Sequence, residues 1–493
     1  MPVLPRFLRR PSSPAATVDQ DFLDECATIQ PRRLAGYTTA QAFYDGDHNT
    51  KLTDRAKKFL QQTGIPFCEN FCEPVVDAMT DRLAVTGFLT GLGDEGRVEA
   101  FEQWADELWQ RCRLDATQQM LWQRTVTLGD GFVLVDLAPD GRPRFTVQQS
   151  SRVNVAYSDE TPDTLEWASK VWVTSKQGPL NPGGRPIQRL NVYWPDRVEK
   201  WYRLHTGDGS GGAGGWSAWV DADGEDAVVP WTRPDGAPRG VPVFHFANKP
   251  CDHDYGRSEI RGTIPQQELL NKLVIDLALV LDHHGEPQRW VTGVEPPRES
   301  GQAVPSWAIG DLWVSGAPEA RFGQFEAANP EGLISAIEGT LSRIARRSRT
   351  PLHLLVGGDM PSGEALRSAE AGLVAKVKGR QGSWGNRWED AILYAANLAA
   401  DEGGDVVVPD DLIVSCQWQD PESRNEKEQL EAAILKHELG VSKDTLIREL
   451  GYDPDAERAA RASDLEEAQA MMVRVFDRGP DQPDDEQDDR VAA

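Results

Sequence analysis

Histidines and carboxylates are the natural candidates for catalytic chemistry, but their spacing in this chain fits none of the common sites. The sequence contains no Walker A motif, no HExxH motif, no Gly-x-Ser-x-Gly motif and no dinucleotide-binding fingerprint. His283 and His284 are adjacent and point to different faces of a helix, which favours a capping or solvated role over metal binding. His245 and His253 lie around a predicted turn. We therefore expect no catalytic residue, no bound metal and no cofactor.

The six cysteines are also poorly placed for a metal site. Only Cys68 and Cys72 lie close together, and no second Cys or His pair has the spacing of a zinc site. Two packed thiols are the favoured interpretation. The Gly/Ser-rich stretch Gly207–Gly215 is interpreted as a loop tip rather than a phosphate-binding loop, because no Lys-Ser/Thr pair follows it.

A cluster of positive charge lies at the C-terminal end of a predicted helix. Its members are Arg343, Arg346, Arg347 and Arg349. These cations suit the negative end of the helix dipole. They also suit salt bridges with acidic groups of an adjacent subunit, or contacts with DNA phosphates. The sequence leaves these three interpretations open.

The segment after these arginines is an apolar loop between helix-breaking residues, from Thr350-Pro351 to Pro361-Ser362. One interpretation is a buried connector. The other is the low-adhesion lining of a channel, with the Gly357-Gly358 pair providing flexibility. The candidate lining residues are His353, Leu354, Leu355, Val356, Gly357, Gly358, Asp359 and Met360.

Two predicted helices enclose a strand-rich insertion. The first helix begins where Thr263 and Gln266 fit a capping box, and leucine and valine then recur at helical spacing. The second begins at Pro330, because proline is tolerated in a first helical turn, and it ends in the four arginines. Between the helices, Trp290–Val294 and Trp307–Val314 are predicted strands joined by a proline-rich turn.

The rest of the chain predicts a mixture of helices and strands, so the expected fold class is α+β. Phe22–Leu34, Phe67–Thr86 and Leu114–Leu128 are predicted helices, and strands with short turns follow from Phe132. Pro195-Asp196 is expected to connect two of those strands as a hairpin.

A long helix is predicted after Ser362. Glycines weaken a helix interior, so those inside it predict a kink or a close helix contact. They are Gly379, Gly382 and Gly385. Val406–Val408 and Leu412–Trp418 are predicted return strands, and three further helices are expected in the C-terminal part, at 426–439, 443–450 and 455–476.

Length and charge narrow the functional class. The chain has 493 residues, of which 39% are hydrophobic and 26% charged, which fits a soluble protein of two or more domains. Its formal net charge of −26 argues against a protein that grips nucleic acid over its whole surface. No apolar segment approaches the ~20 residues that span a bilayer, and Met1–Pro14 lacks the apolar run of a signal peptide, so no membrane association is expected.

The order of helix, small β module, helix, apolar loop and long helix resembles the portal proteins of tailed phages of the siphophage type. Phe43–His48 resembles the tyrosine- and glycine-rich segment near the N-terminus of that family, and Asn70–Phe88 resembles the helix that follows it. Pro361–Leu366 looks like the start of the family's long helix after the channel loop. The resemblance covers the chain from about Tyr37 to about Val473.

The resemblance implies a portal fold divided into a mixed wing, a two-helix stem, a β-rich clip, a channel loop and a helical crown. The implied bounds are 1–19 for a disordered N-terminus, 20–257 and 363–423 for the wing, 258–286 for the first stem helix, 287–329 for the clip, 330–349 for the second stem helix, 350–362 for the channel loop, 424–476 for the crown and 477–493 for a disordered acidic tail. In the clip, the candidate docking residues are Trp290, Pro296, Pro297, Trp307 and Trp313.

The resemblance also implies a function without catalysis. Portal proteins form a ring, usually of twelve subunits, at one capsid vertex, and the ring conducts double-stranded DNA during packaging and ejection. The implied partners are the large terminase, a head-completion or adaptor protein, and the major capsid and scaffolding proteins, with assembly in the host cytoplasm and a final place in the virion. The alternatives are a head scaffold or joining protein that forms no closed ring, and a nucleic-acid enzyme whose site is not recognised.

Overall fold

The structure is a computed structural model of the chain, which separates into two units, Met1–Gln417 and Trp418–Ala493. It describes residues 19–48, 57–58, 61, 69–91, 95–176, 181, 183–205, 212–219, 227–250, 255–285, 289–292, 318–324, 329–357, 363–404, 406–409, 412–422, 426–450, 454, 457–463 and 465. Among these residues, no helix combines the length and the apolar character that a membrane span needs. No cluster of His, Cys, Asp and Glu in the same ranges could hold a metal ion.

The first unit begins with helices around one short strand. They are α1 (Gln20–Ala27), α2 (Pro31–Tyr44), α3 (Cys72–Thr80), strand β1 (Val85–Gly91), α4 (Glu95–Arg111) and α5 (Leu114–Leu128). The Asp19 carboxylate accepts the N–H of Phe22 and caps α1. The predicted bounds of α5 are confirmed, and Gly129 ends it with a φ of +108°, which glycine adopts readily.

Two predicted helices in this region are wrong. Phe22–Leu34 is not one helix, because residues 28–30 are not helical and Pro31 begins α2. Proline lacks the N–H that would continue the preceding helix. The predicted helix Phe67–Thr86 ends too late, because α3 stops at Thr80 and Val85 begins β1, which pairs with a distant strand, β13 (Ile413–Trp418).

Two antiparallel sheets form the centre of the first unit. The smaller has the order β10 (Val243–Ala247), β2 (Asp130–Leu137), β3 (Pro143–Gln148). The larger has the order β4 (Val153–Tyr157), β5 (Leu165–Thr174), β6 (Ile187–Tyr193), β7 (Arg197–His205), β8 (Gly212–Ala218), and β9 (Val228–Pro230) also pairs with β7. The predicted hairpin at Pro195-Asp196 is confirmed as the connection between β6 and β7.

Each face of the larger sheet is covered by apolar packing. On one face, Leu23 and Cys26 of α1 pack with Trp167, Trp201 and Trp216. The other face is packed against the smaller sheet through a second cluster of buried residues: Phe132, Leu134, Val153, Val155, Ala168, Tyr193, Val198 and Val243. Burial of this apolar area is the main force that holds the two sheets together.

The second half of the first unit consists mainly of three helices. Its elements are α6 (Ile264–Gly285), β11 (Arg289–Thr292), β12 (Arg321–Gln324), α7 (Glu331–Ser348), α8 (Leu352–Val356), α9 (Gly363–Asp401) and β13. α6 packs against α7, and β11 pairs antiparallel with β12. The Trp384 indole of α9 stacks on Trp122 at 5.1 Å, and Trp388 meets Trp109 edge-on at 5.0 Å, so aromatic contacts fix the long helix to the core.

Two expectations about these helices need correction. The capping box before α6 is wrong, because the N–H and the hydroxyl of Thr263 both donate to the carbonyl of Ile260, which leaves Gln266 nothing to cap. The long helix α9 is continuous, and a Cβ added at Gly379 or Gly382 would meet no atom within 4 Å. These two glycines therefore mark no close contact within the chain.

The second unit contains α10 (Glu426–Glu438) and α11 (Lys443–Glu449), and Ser442 caps α11 by accepting the N–H of Thr445. The predicted helix 455–476 is helical where it is described and otherwise lies outside the described residues. In the first unit, the predicted strand Val406–Val408 is wrong, because residues 406–409 are irregular, and Pro409 has no N–H to donate to a strand. Cys72 is a buried free thiol, while Cys68 is outside the described residues.

Candidate functional site

The four arginines of α7 lie at the end of the helix, as predicted, and all four are exposed. Arg346 donates its Nε–H to the carbonyl of Ser342 at 3.2 Å, and Arg349 adopts a left-handed φ of +56° as α7 ends. Within the described part of the chain, Arg343, Arg346, Arg347 and Arg349 form no ion pair. Their contact with the helix dipole, an adjacent subunit or DNA stays a prediction.

A buried lysine of α9 ties the end of α7 to the turn before α6. Lys376 Nζ donates to the carbonyl of Ser348 at 2.8 Å and lies 3.3 Å from Glu259 Oε1, while Lys249 Nζ lies 2.8 Å from Glu259 Oε2. Burial alone would raise the pKa of Glu259, but the two lysines hold it below its ordinary value. Burial lowers the pKa of Lys376, and Glu259 only partly opposes this effect. The network fixes the end of α7 and the turn before α6 on α9.

The predicted apolar loop contains a short helix, α8, that is anchored on one side. Leu355 is buried, and His353 Nε2 lies 3.4 Å from Glu370 Oε1 of α9. Arg82 Nη2 lies 3.3 Å from the same carboxylate oxygen. These contacts hold α8 against α9 and the end of α3. The sequence analysis did not predict this turn, because five residues between Pro351 and Gly357 are too few to show helical periodicity.

The opposite side of α8 is exposed. Leu352 and Val356 are 46% and 55% exposed, and Leu354 is half-buried. Gly357, with a φ of +70°, follows the helix. The remaining candidates, Gly358, Asp359 and Met360, lie outside the described residues. Among the described candidates for the lining, Val356 is the most exposed apolar side chain, whereas Leu355 and His353 contact the body of their own chain.

The insertion between α6 and α7 is described only at its base. Trp290 lies in β11 opposite Gly323 of β12, a strand that was not predicted from the sequence. The other candidate docking residues fall outside the described residues: Pro296, Pro297, Trp307 and Trp313. The antiparallel pair nevertheless shows that the chain leaves α6 and returns to α7 through neighbouring strands.

A buried hydrogen-bond network joins α2, β2, β4 and β10. Asp130 Oδ1 accepts hydrogen bonds from His245 Nε2 at 2.7 Å and Gly256 N–H at 2.6 Å, and Oδ2 accepts the Tyr37 hydroxyl at 2.6 Å. The Tyr157 hydroxyl lies 2.8 Å from His245 Nδ1. Burial raises the pKa of Tyr157 to about 12, so its phenol is not poised to act as a nucleophile.

The Asp130 network is therefore structural. Burial would raise the pKa of Asp130, but the hydrogen bonds from His245, Tyr37 and Gly256 hold it below its ordinary value. The three donors to this carboxylate, Tyr37, His245 and Gly256, come from different segments of the chain. Their hydrogen bonds tie α2 and β10 to β2.

Comparisons with known proteins identify the family of this chain. The family described as "Phage portal protein, SPP1 Gp6-like" matches residues 23–471. The portal proteins of Mycobacterium phages D29 and L5 are each 26% identical to the chain, over 426 and 434 residues, and each match covers 83% of this chain and 81% of the relative. A chain from the neck of a native GTA particle, computed with C12 symmetry, aligns with a TM-score of 0.37 and 14% identity over 85% of this chain and 99% of that chain. Because the family match extends over most of the sequence, the chain belongs to the SPP1 Gp6-like family of phage portal proteins.

Proposed function

We propose that this chain forms a closed ring, with twelve subunits as is usual in the family, and that α8 of each subunit faces the DNA channel. Membership of the portal family gives the chain its general role, the passage of the phage genome at the capsid vertex. The assignment of α8 to the channel rests on one observation: one side of α8 is anchored to its own chain and the other side is exposed. Leu355 and His353 anchor one side, and the exposed Val356 is left on the other. An apolar group offers no donor to phosphate, so DNA that touches it is not held.

The low-adhesion proposal is tested by placing a cation where Val356 stands. The variant Val356→Lys adds one ammonium group per subunit, which binds phosphate and should slow DNA packaging, most strongly at low salt. The matched control is Val407→Lys, because Val407 is exposed to a similar extent, 60%, and lies outside the proposed channel. The measurement is the rate at which DNA-filled heads form. A normal rate with Val356→Lys rings would contradict the assignment of α8 to the channel.

We further propose that the clip, residues 287–329, docks the large terminase and then the head-completion protein. Its ends are held by β11 and β12, and its sequence carries aromatic residues, which are enriched at interface hot spots. Exchanging Glu295–Gln302 for a Gly/Ser linker should leave ring assembly intact and reduce binding of both partners in pull-down assays. Unchanged binding of both would place the docking surface elsewhere.

Assembly of the ring is proposed to occur in the host cytoplasm together with the major capsid and scaffolding proteins. The support is the family role, since a portal protein is a component of the capsid vertex. Fractionation of infected cells should find the chain first with capsid precursors and later in virions. Its absence from purified virions would contradict this proposal.

A further inference from the structure

A cleft lined by arginines lies on the first unit, where the start of α2, the turn before α6 and the end of α7 meet. It consists of a larger part of about 1200 Å³ and a smaller part of about 530 Å³. Arg32, Arg257, Ser258 and Arg261 line both parts, so the two are continuous. We call this surface the arginine cleft.

Most of the positive charge in the arginine cleft is not neutralised by the chain itself. Arg32, Arg257 and Arg261 are exposed and form no ion pair within the described ranges, and the same holds for Arg347, which lines the smaller part. Three carboxylates also line the cleft: Glu259, which is already paired with two lysines, and Glu25 and Asp159, which lie in the larger part. This concentration of free cations contrasts with the formal net charge of −26 for the whole chain.

Buried donors without partners lie in the wall of the larger part. The guanidinium of Arg33 donates through Nη2 to the carbonyl of Val153 at 2.9 Å and to the side chain of Asn154, and it stacks on Tyr255 at 3.8 Å. Its Nε and Nη1 atoms are buried and, among the described residues, have no hydrogen-bond partner. The buried Oγ of Ser258 has none there either. Buried donors of this kind are unfavourable unless an acceptor is supplied.

We propose that the arginine cleft binds a carboxylate-rich segment of a partner protein. Arginine presents its donors in a planar fork that matches a carboxylate bidentately, and four exposed arginines around one cleft suit several closely spaced acidic side chains. Arg33 and Ser258 belong to the wall of the same cleft, and their unpartnered donors add to its positive electrostatic character. This inference does not depend on the channel assignment of α8.

The shape of the cleft favours a peptide over duplex DNA. A DNA duplex is stiff, with a persistence length of about 50 nm, and it carries its phosphates on the outside of a wide cylinder. Such a cylinder contacts exposed arginines on a rim but does not enter a concave surface. A single acidic polypeptide segment is thin enough to lie in the cleft and to contact several of its arginines.

The test measures binding of a labelled oligoglutamate peptide to the full-length chain at low salt by fluorescence anisotropy. We expect binding, and we expect Arg257→Gln and Arg261→Gln each to weaken it about tenfold, the size of one lost charge-assisted hydrogen bond. The matched control is Arg142→Gln, an exposed arginine of the β2–β3 turn that does not line the cleft, and it should leave binding unchanged.

A second experiment asks whether the group bound in the cleft is a peptide carboxylate, a DNA phosphate or inorganic phosphate. A short DNA duplex and inorganic phosphate are each added as competitors, with the melting temperature of every variant recorded to show that it is folded. Weak competition by both supports the proposal. The proposal is overturned if the peptide does not bind, if folded cleft variants bind it as tightly as the control, or if the duplex or phosphate alone occupies the cleft in preference to the peptide.

Discussion

Lys376 connects α9 to the end of α7 and to the turn before α6. In the variant Lys376→Met, Glu259 loses its ion pair with Lys376 and keeps the one with Lys249, and the carbonyl of Ser348 loses the Lys376 donor. We expect the free energy of unfolding to fall by about 3 kcal/mol, because a buried charge loses its buried partner. Urea denaturation at neutral pH measures this change.

The double variant Lys376→Met/Glu259→Gln provides the control for that experiment. Neutralising the Glu259 carboxylate, which has lost its buried partner Lys376, should restore part of the lost stability, because the effects of two contacting residues are not independent. A double variant that is less stable than Lys376→Met would show that the two side chains are not coupled as the structure indicates.

Asp130 makes the stability of the region around β2 depend on acidic pH. Its pKa is lower in the folded chain than the usual value of about 3.9, so its contribution is present above that value and is lost as the pH falls through the folded pKa. The variant Asp130→Asn should be less stable at neutral pH, by on the order of 2 kcal/mol, because charge-assisted hydrogen bonds are lost.

The same variant should lose less stability than the parent protein as the pH falls below about 4, since it has no carboxylate to protonate at this position. Melting temperatures measured across that range provide the comparison. Equal losses in both proteins would mean that Asp130 does not titrate as its surroundings require.

These two networks differ in how far the sequence could reveal them. Lys376 lies between Leu373 and Val377 on the apolar face of α9, and a charged residue on an apolar face is a visible signal for a buried partner. The partners of Asp130 are Tyr37 and His245, which are both distant from Asp130 in the sequence. Only the tertiary arrangement of α2, β2 and β10 brings them together.

At the scale of elements, α9 gives a prediction about glycine. Because an added Cβ at Gly379 or Gly382 meets no atom within 4 Å, alanine at either position should stabilise the isolated subunit by about 0.5–1 kcal/mol. The matched control is Gly131→Ala, where the new Cβ would lie 2.8 Å from Leu121 Cδ1 and collide with Thr125. Thermal unfolding should rank the control as destabilised. A loss of stability in Gly379→Ala would contradict the open space seen beside α9.

Local signals explain which elements the sequence predicted. Pro330 marks the start of α7 and Gly129 marks the end of α5, so these helix bounds could be predicted closely. β1 could not, because its strand conformation depends on pairing with β13, more than three hundred residues away. The exposed and anchored sides of α8 were equally hidden, since they depend on Glu370 and Arg82.

At the scale of the whole molecule, the charge distribution suits a conduit. The formal net charge of −26 keeps most of the surface from binding phosphate, which fits a protein through which DNA must move. One group of exposed arginines nevertheless lies at the end of α7 and in the arginine cleft. A protein that held DNA tightly over its surface would need a net positive charge.

The central claim is that copies of this chain close into a ring with α8 at the axis. Cryo-electron microscopy of the purified full-length protein tests it most directly. We expect a closed ring of 54.5 kDa subunits around an axial hole, with Val356 of every subunit facing that hole. Particles that remain single subunits, or a ring in which Val356 points away from the hole, would contradict it.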